Sequence, residues 1–489
     1  MKKILTSSQM KLCDEREIER GTPSAILMER AARAVLKIIK ERYNYAERIL
    51  FVCGGGNNGG DGILAAILAS GEDLEGSIMF LGNEQRCTPE CLRRLREARD
   101  AGIDFTDDPD FASYDLIVDA IFGIGLTREA EGRYAEVIRA INESGVTVIS
   151  VDVPSGAFAD SGLGEPQVKA DFTVAIQAPK YANVYGGEFE CAEIGIFCDD
   201  MDAPYTMEYS DILRLMGRRP KDCHKGTFGR ALIIGGDVGM CGAVYLSALA
   251  AYRSGAGLVE VLTSSENRIP LQTLLPEAIV TVTDMQSPEL RVLEAALGRA
   301  DSVAIGMGLG TSAGAKKILS YTLENLRCPA VIDADALNLI AKHGLTVPSG
   351  AVITPHPMEL SRLTGRSVSE LKADLCKNAR ELATRFGCVV LAKNYRSVIS
   401  DGETVIINSS GSPALAKGGS GDVLSGVIAA LLARGIGSLD AAALGAFIHG
   451  EAGSECAKRM YLGEEGVLAR EVADEVAFVI EQGKSDGSI

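Results

Sequence analysis

Lys417-Gly-Gly-Ser-Gly-Asp-Val-Leu-Ser-Gly426 is a glycine-rich turn that opens an apolar helix. The glycines leave backbone N–H groups unhindered at the helix N-terminus, which favours a bound negative charge such as a phosphate. The Asp422 carboxylate lies in the same turn, where it is placed to take a proton from an attacking hydroxyl group. The stretch is therefore typical of a phosphoryl-transfer site.

A second glycine-rich turn, Gly54-Gly-Gly-Asn-Asn-Gly-Gly-Asp-Gly62, lies far upstream. It follows the apolar run 49–52 and precedes the apolar run 63–69, as expected of a turn between a strand and a helix. It lacks the Gly-Lys-Ser/Thr of a P-loop and the spaced glycines of the common dinucleotide fingerprint. The sequence therefore predicts two separate ligand sites.

Length and charge narrow the class of protein. A chain of 489 residues is too long for one ordinary core and suggests two domains. The formal net charge of −17 argues against nucleic-acid and anionic-membrane partners. The 12 cysteines are scattered, and only Cys87 and Cys91 are close together. We therefore expect the cysteines to be small buried residues of the core in a reducing compartment, and we do not expect a zinc site.

Residues 1–9 lack the apolar stretch of a signal peptide, and the apolar region 423–433 is too short to span a bilayer. We therefore expect a cytoplasmic protein without a membrane partner.

Thr6 to Gln9 fits a capping box, and a helical period then continues to Ile39.

Short apolar runs that end in polar or glycine turns alternate with helix-like segments in both halves of the chain. This pattern predicts an α/β fold with mostly parallel sheets. Residues 201–223 interrupt the alternation, so we place the domain boundary near residue 215. The predicted strands are 49–53, 77–81, 116–119, 147–151 and 172–176 in the first half, and 230–235, 258–262, 302–305, 330–333, 351–354, 388–391 and 397–400 in the second.

Three strand ends in the first half carry polar side chains. In doubly wound sheets, ligands bind at the carboxyl ends of the strands. Asn58, Asp119 and Ser155 would offer an amide oxygen, a carboxylate and a hydroxyl there, which suit a hard cation rather than zinc. For any single loop, the alternative is that glycines turn the chain and aspartates cap helices.

The segments 57–62, 119–125 (Asp-Ala-Ile-Phe-Gly-Ile-Gly) and 151–156 (Val-Asp-Val-Pro-Ser-Gly) resemble the motifs of the NAD(P)H-hydrate epimerase domain. The resemblance implies a Rossmann-like three-layer α/β/α domain over residues 1–215, a potassium ion held by Asn58, Asp119 and Ser155, and Asp152 at the reacting nicotinamide. The implied hydrate-binding residues are Asn57, Asn58, Gly59, Gly60, Asp61, Gly123, Ile124, Gly125, Leu126, Thr127, Arg128, Glu129 and Asp152. Epimerisation at a carbinolamine carbon needs an acid/base group, and Asp152 is the candidate.

The second half repeats glycine, Asp and His at its predicted strand ends. Glycine amides there can hold phosphates, and Asp335 or Glu359 can orient magnesium through water. Taken alone, His356 is more simply a turn histidine between prolines, and Lys393 a surface lysine. The main segments are 224–229, 235–243, 254–257, 306–310, 333–338, 354–359 and 418–422.

Together these segments resemble the ribokinase-like dehydratase domain that acts on NAD(P)H hydrates with ADP or ATP. The resemblance implies a ribokinase-like α/β/α domain over residues 216–489, catalysis by Asp422, and a magnesium ion at the phosphates. Implied hydrate contacts are Ala243, Gly308, His356 and Asp422; implied nucleotide contacts are Lys393, Asn394, Tyr395, Arg396, Ser397, Gly418, Gly419, Ser420 and Gly421. Met307, Met358 and the sequence Leu391-Ala-Lys393 depart from the family pattern.

The order of the two halves is that of the bifunctional NAD(P)H-hydrate repair enzymes. The resemblance implies interconversion of R and S hydrates of NADH and NADPH, dehydration of the S form to NAD(P)H with ADP or ATP, and a homo-oligomer. One alternative is a small-alcohol kinase of the same superfamily. Another is that the first half is a non-catalytic nucleotide-binding or scaffold module.

Overall fold

The computed structural model describes residues 1–72, 74–459 and 463–486. The chain divides into two compact units, an N-terminal unit formed by Lys2–Pro204 and a C-terminal unit formed by Met1 and Tyr205–Ile489. Within the described ranges, no helix combines the length and the apolar character that a bilayer crossing requires.

The N-terminal unit is built on a seven-stranded parallel sheet with the order β4-β3-β2-β5-β6-β7-β8. Its elements are β1 (Lys2–Lys3), α1 (Ser7–Glu19), α2 (Ser24–Arg42), β2 (Arg48–Cys53), α3 (Asn57–Ser70), β3 (Glu75–Phe80), α4 (Pro89–Asp100), β4 (Asp104–Phe105), β5 (Leu116–Ala120), α5 (Arg133–Glu143), β6 (Thr147–Val151), β7 (Phe172–Ile176), α6 (Tyr181–Gly186) and β8 (Phe189–Ala192).

Helices cover both faces of this sheet. Side chains of α2, α3 and α4 pack on one face around the buried Phe51 and Ile78, and α5 packs on the other with Val137, Ile138 and Ile141. Burial on both faces explains why central strands such as β2 are nearly continuous apolar runs. The predicted three-layer α/β/α architecture is confirmed.

The C-terminal unit contains the sheet order β9-β18-β17-β16-β15-β14-β13-β10-β11-β12, in which β17 runs antiparallel to both neighbours and the other pairs are parallel. Its strands are β9 (Tyr205–Thr206), β10 (Arg230–Ile234), β11 (Leu258–Thr263), β12 (Ile279–Val282), β13 (Ser302–Ile305), β14 (Ala330–Ile332), β15 (Val352–Ile353), β16 (Val389–Ala392), β17 (Val398–Ser400) and β18 (Val405–Ile407). Its helices are α7 (Tyr209–Met216), α8 (Cys241–Arg253), α9 (Arg268–Leu274), α10 (Leu290–Leu297), α11 (Ala313–Asn325), α12 (Asp335–His343), α13 (Pro357–Thr364), α14 (Val368–Ala373), α15 (Leu375–Phe386), α16 (Ser420–Ala433), α17 (Ser438–Arg459), α18 (Gly463–Gly466) and α19 (Ala469–Asp486).

The helix predicted after the 417–426 turn is α16, and it lies in the core. Its residues from Val423 to Ala433 are all buried. A Cβ built on Gly426 would lie 2.1 Å from the Ser247 carbonyl oxygen of α8, so glycine allows the two helix backbones to approach closely. The apolar character of this region therefore serves packing within the unit.

Two boundaries differ from the sequence prediction. The units divide between Pro204 and Tyr205 rather than near residue 215, because α7 packs through Ile212 and Met216 into the C-terminal core. The opening helical region is two helices, α1 with its capping box at Thr6 and α2, because Gly21 has a φ of 108° and Pro23 stands at the N-cap of α2.

Candidate active sites

A cavity of about 810 Å³ opens in the N-terminal unit at the carboxyl ends of β2, β5 and β6. This is the edge of a parallel sheet at which ligands bind. Ten of the predicted hydrate-binding residues line it: Asn57, Asn58, Asp61, Gly123, Ile124, Gly125, Leu126, Thr127, Arg128 and Asp152. The structure thus brings together the two predicted loops and Asp152.

Three predicted residues lie outside the cavity lining. A Cβ on Gly59 would lie 1.9 Å from the Gly54 carbonyl oxygen, and one on Gly60 would lie 2.5 Å from the Met28 Cε. These two glycines therefore let α3 start close to the strand end and to α2. Glu129 is exposed to solvent.

Asp152 is held by a strained backbone and by three partners. Its φ of 69° is unusual for a residue with a side chain, and such strain is concentrated at functional sites. Its Oδ1 accepts hydrogen bonds from Lys180 Nζ and from Ile176 N, and its carbonyl accepts one from Asn183 Nδ2 at 2.8 Å. Lys180 is only 1% exposed, so this ion pair fixes the carboxylate at the cavity wall.

The predicted cation ligands lie next to this wall. Asp119 is fully buried, and its Oδ2 accepts hydrogen bonds from Ser150 Oγ at 2.7 Å and Ser155 N at 2.8 Å. Burial raises the pKa of Asp119 despite these donors. The Asn58 amide is 9% exposed, and its Oδ1 and Nδ2 have no hydrogen-bond partner among the described residues. A buried amide oxygen without a donor and a buried carboxylate together offer the oxygen ligands that a hard cation prefers.

Two cavity residues were missed by the sequence analysis, Asp14 of α1 and Lys180. Burial raises the pKa of Asp14 to about 6, with Lys180 opposing and Asp152 adding to the shift. Burial also raises the pKa of Asp61 well above its usual value, with Asp152 and Asp14 adding to it. Lys180 follows β7, so the strand-end rule applied to that strand would have found it; nothing local in the sequence marks Asp14.

The candidate site of the C-terminal unit is built on the first turn of α16. Gly419 has a φ of 97°, which favours glycine, and no side chain caps the helix. The first intrahelical bond runs from Val423 N to the Gly419 carbonyl at 3.0 Å, so the N–H groups of Gly421 and Asp422 precede it. This is the predicted anion site.

Asp422 lies among several charged groups. Burial raises its pKa to about 7, the carboxylates of Asp333 and Asp335 add to the shift, and Lys393 opposes it. The buried Asp333 accepts hydrogen bonds from Lys393 Nζ and Ser425 Oγ, both at 2.8 Å. Burial would raise the pKa of Asp333, but Lys393 and the hydrogen bonds outweigh it and lower the pKa. Lys393 is thus the central cation of the site.

Replacing Lys393 with methionine (Lys393→Met) should destabilise the C-terminal unit by about 3–5 kcal/mol at neutral pH, because it leaves the Asp333 charge buried without its partner. The Asp333 pKa is lowered in the folded state, so this stabilisation is present above the unfolded-state pKa and is lost as pH falls through the folded-state pKa. Urea unfolding at neutral and acidic pH measures the difference. The exposed Lys377→Met is the control, and equal stabilities of the two variants would contradict the prediction.

His356 begins α13 as a capping residue. Its Nδ1 accepts a hydrogen bond from Met358 N at 3.1 Å, and its own N donates to Glu359 Oε2 at 2.9 Å. Burial raises the pKa of Glu359 to about 7. Burial, followed by the nearby Lys393, lowers the pKa of His356, so its neutral form is favoured near the site. His356 is therefore a turn histidine in its local structure. It also lies within electrostatic range of Lys393, which belongs to the site.

The other predicted residues fall into two groups. Ala243 and Gly308 are neighbours, since a Cβ built on Gly308 would lie 3.2 Å from that of Ala243. Lys393, Asn394, Tyr395, Arg396 and Ser397 form the turn between β16 and β17, where Arg396 Cζ lies 4.5 Å from the centre of the Tyr395 ring. Of the departures from the family pattern, Met307 is fully buried and Met358 is about half exposed.

Comparisons with known proteins match both halves. Residues 231–477 match the family described as NAD(P)H-hydrate dehydratase, and residues 24–182 match the family described as YjeF-related protein N-terminus. The bifunctional NAD(P)H-hydrate repair enzyme of Coxiella burnetii is 34% identical and covers 96% of this chain and 97% of its own. That of Escherichia coli K12 is 36% identical and covers 94% of this chain and 90% of its own.

Among solved structures, the ADP/ATP-dependent NAD(P)H-hydrate dehydratase of Bacillus subtilis, co-crystallised with ATP and Mg²⁺, matches with a TM-score of 0.52 and 29% identity over 58% of this chain and 99% of its own. A ribokinase-like superfamily protein of Enterococcus faecalis matches with a TM-score of 0.53 and 28% identity over 58% of this chain and 97% of its own. The predicted ribokinase-like fold of the second half is confirmed. The relatives span both halves at more than 30% identity, so this chain belongs to the family of bifunctional NAD(P)H-hydrate repair enzymes.

Proposed function

We propose that this chain repairs hydrated NADH and NADPH in two steps. The N-terminal unit interconverts the R and S hydrates, and the C-terminal unit dehydrates the S hydrate with ADP or ATP, releasing AMP or ADP and phosphate. The observation that carries the proposal is the placement of one acid/base carboxylate in each unit, Asp152 at the 810 Å³ cavity and Asp422 at the α16 anion site. Its relatives are named bifunctional NAD(P)H-hydrate repair enzymes, which supports two activities in one chain.

In the N-terminal unit, the N–H groups at the start of α3 are placed to bind the negatively charged pyrophosphate of the hydrate. Gly56 precedes this helix without a side-chain cap, so those groups face the cavity without competition from a capping side chain. Asp152, fixed by Lys180, then stands as the acid/base group for the carbinolamine carbon.

Asn58, Asp119 and Ser155 would hold a potassium ion beside this cavity. The ion would supply a positive charge that offsets the buried Asp119 carboxylate and the anionic substrate. The unpartnered Asn58 amide supports this assignment.

In the C-terminal unit, Ala243, Gly308 and His356 would hold the S hydrate so that its C6 hydroxyl faces the nucleotide. Asp422 takes the hydroxyl proton as the oxygen attacks the terminal phosphorus, and the bond from phosphorus to the AMP or ADP oxygen breaks. The C6–O bond then breaks with release of phosphate, and loss of a proton from C5 completes the double bond. The Gly421 and Asp422 amides hold the transferring phosphate.

A residue with a pKa of about 7 is well suited to take and release this proton near neutral pH. Asp335 and Glu359 would hold magnesium through water, and the metal would offset charge on the phosphates. The Lys393–Ser397 turn and the 418–421 turn would bind the nucleotide. Lys393 directly follows β16, and its ion pair with Asp333 fixes its position.

The test is recovery of reduced-nicotinamide absorbance from a mixture of R and S NADH hydrates with ADP, ATP or no nucleotide. We expect complete recovery that depends on nucleotide. Recovery that stops at the S fraction would remove the epimerase assignment. A stable phosphorylated product without released phosphate would instead support a small-alcohol kinase.

The family resemblance also supports a homo-oligomer, which light scattering of the purified protein would test. All 12 cysteines are free thiols, which supports a reducing compartment such as the cytoplasm. Cell fractionation would test that assignment.

A further inference from the structure

Other carboxyl groups line the same cavity as Asp152. Asp14 comes from α1, Asp61 from α3 and Asp152 from the end of β6, and all three line the cavity. Lys180 is the buried cation among them. Asp152 and Asp14 therefore both lie within electrostatic range of one buried ammonium group.

The ammonium is not shared equally. Lys180 Nζ makes its ion pair with Asp152, whereas the carboxyls of Asp14 and Asp61 make no hydrogen bond or ion pair with any described residue. An unpaired buried carboxyl keeps its proton more readily than a paired one. Burial raises the pKa of Asp14 to about 6 and that of Asp61 well above its usual value.

We propose that Asp14 is the second catalytic residue of the epimerase site, acting as the acid partner of Asp152; this inference rests on the proposed function. The Asp14 proton moves to the C6 hydroxyl oxygen, and the C6–O bond breaks with its electron pair as water leaves. The N1 lone pair forms the C6=N1 bond. Water then adds to the opposite face of C6, its electron pair forms the new C6–O bond, the C6=N1 pair returns to N1, and Asp152 takes the released proton.

This assignment makes the reaction symmetric. After one conversion Asp152 carries the proton and Asp14 is ionised, which is the state required for the reverse conversion. Two carboxyls in unlike surroundings are the usual basis of such acid/base pairs. Asp61 is the less suitable partner, because a group that keeps its proton firmly serves as a hydrogen-bond donor rather than as an exchanger.

The experiment compares Asp14→Asn, Asp14→Glu and the control Glu15→Gln in the full chain, since Glu15 is the exposed neighbour on the same helix. Interconversion of R and S NADH hydrates without nucleotide is followed by chromatography. We expect Asp14→Asn to lower kcat by about 10²-fold or more with KM changed less than about threefold. Asp14→Glu should recover part of the loss, and Glu15→Gln should match the wild type.

Urea unfolding of the same samples reports whether the N-terminal unit is folded, and dehydration of pure S hydrate with ADP by the C-terminal unit should be unchanged. If wild type interconverts the hydrates and Asp14→Asn does so equally well, the inference is wrong while the proposed function stands. If wild type does not interconvert them, the proposed function itself fails. A loss of kcat in Asp61→Asn but not in Asp14→Asn would move the acid role to Asp61 and overturn the inference.

Discussion

Asp422→Asn should lower the dehydratase rate by about 10²- to 10⁴-fold, because the amide cannot accept the proton of the attacking hydroxyl. Nucleotide affinity should change far less, since the Gly421 and Asp422 N–H groups that precede the first intrahelical bond of α16 are retained. Phosphate release from ADP and S hydrate measures the rate, and nucleotide titration measures the affinity.

The same substitution should stabilise the C-terminal unit at alkaline pH. The Asp422 pKa is raised from 3.8 to about 7 on folding, so the folded chain keeps a proton that the unfolded chain loses. The free energy of unfolding therefore falls as pH rises from 3.8 to about 7, and above this range the buried Asp422 carboxylate is fully charged. Removing that charge should add on the order of 3 kcal/mol near pH 8 and little near pH 4.

Urea unfolding at both pH values measures this gain. Asp222→Asn, at an exposed carboxylate of the same unit, is the control. A variant that loses activity without the alkaline gain would show that Asp422 is not buried as a charge. A variant that keeps activity would remove Asp422 from the mechanism.

Asp152→Asn should lower interconversion of the R and S hydrates by about 10²- to 10⁴-fold and leave dehydration of pure S hydrate unchanged. In a mixture with ADP, the S fraction should be consumed at the normal rate and the R fraction slowly. Chromatography of the two hydrates over time separates these outcomes. Equal loss for both hydrates in a folded chain would contradict independent sites, and no loss would support the scaffold interpretation.

Stability must be controlled in this experiment, because the substitution leaves Lys180 buried without its partner. Breaking such a pair costs about 3–5 kcal/mol. The double variant Asp152→Asn/Lys180→Met removes both charges and should recover most of the stability without recovering epimerisation. Asp108→Asn, at an exposed position of the same unit, is the matched control.

The sequence predicted the class of fold, because strand ends and glycine turns are local signals, and both candidate sites were proposed from the same signals. Asn57, Asn58 and Asp61 line the cavity, and the α16 turn begins a helix as the pattern predicted. The split between α1 and α2 was also within reach, since Gly21 and Pro23 are ordinary helix breakers.

Contacts between residues that are far apart in the sequence could not be predicted from local patterns. Asp14 lines the same cavity as Asp152 only because α1 packs into the N-terminal unit through Met10 and Cys13. The polar segment after Met216 hides that α7 belongs to the C-terminal core. The buried Asp333, whose contacts with Lys393 and Ser425 organise the second site, appears in the sequence as one more strand-end aspartate. The roles of Asp14 and Asp333 depend on charged residues that are distant in the sequence. The periodicity of a single sequence carries no information about such pairs.

The burial of α16 links heat inactivation of the dehydratase site to unfolding of the C-terminal unit. The helix that follows the candidate phosphate-binding turn is also a central packing element of its unit, so we expect the end of the turn that joins α16 to stay in place while the unit is folded. Heat inactivation of dehydration should therefore coincide with exposure of the chain to proteases, and bound nucleotide should delay both. A heat-damaged molecule would be degraded by proteases rather than persist as a folded but inactive enzyme.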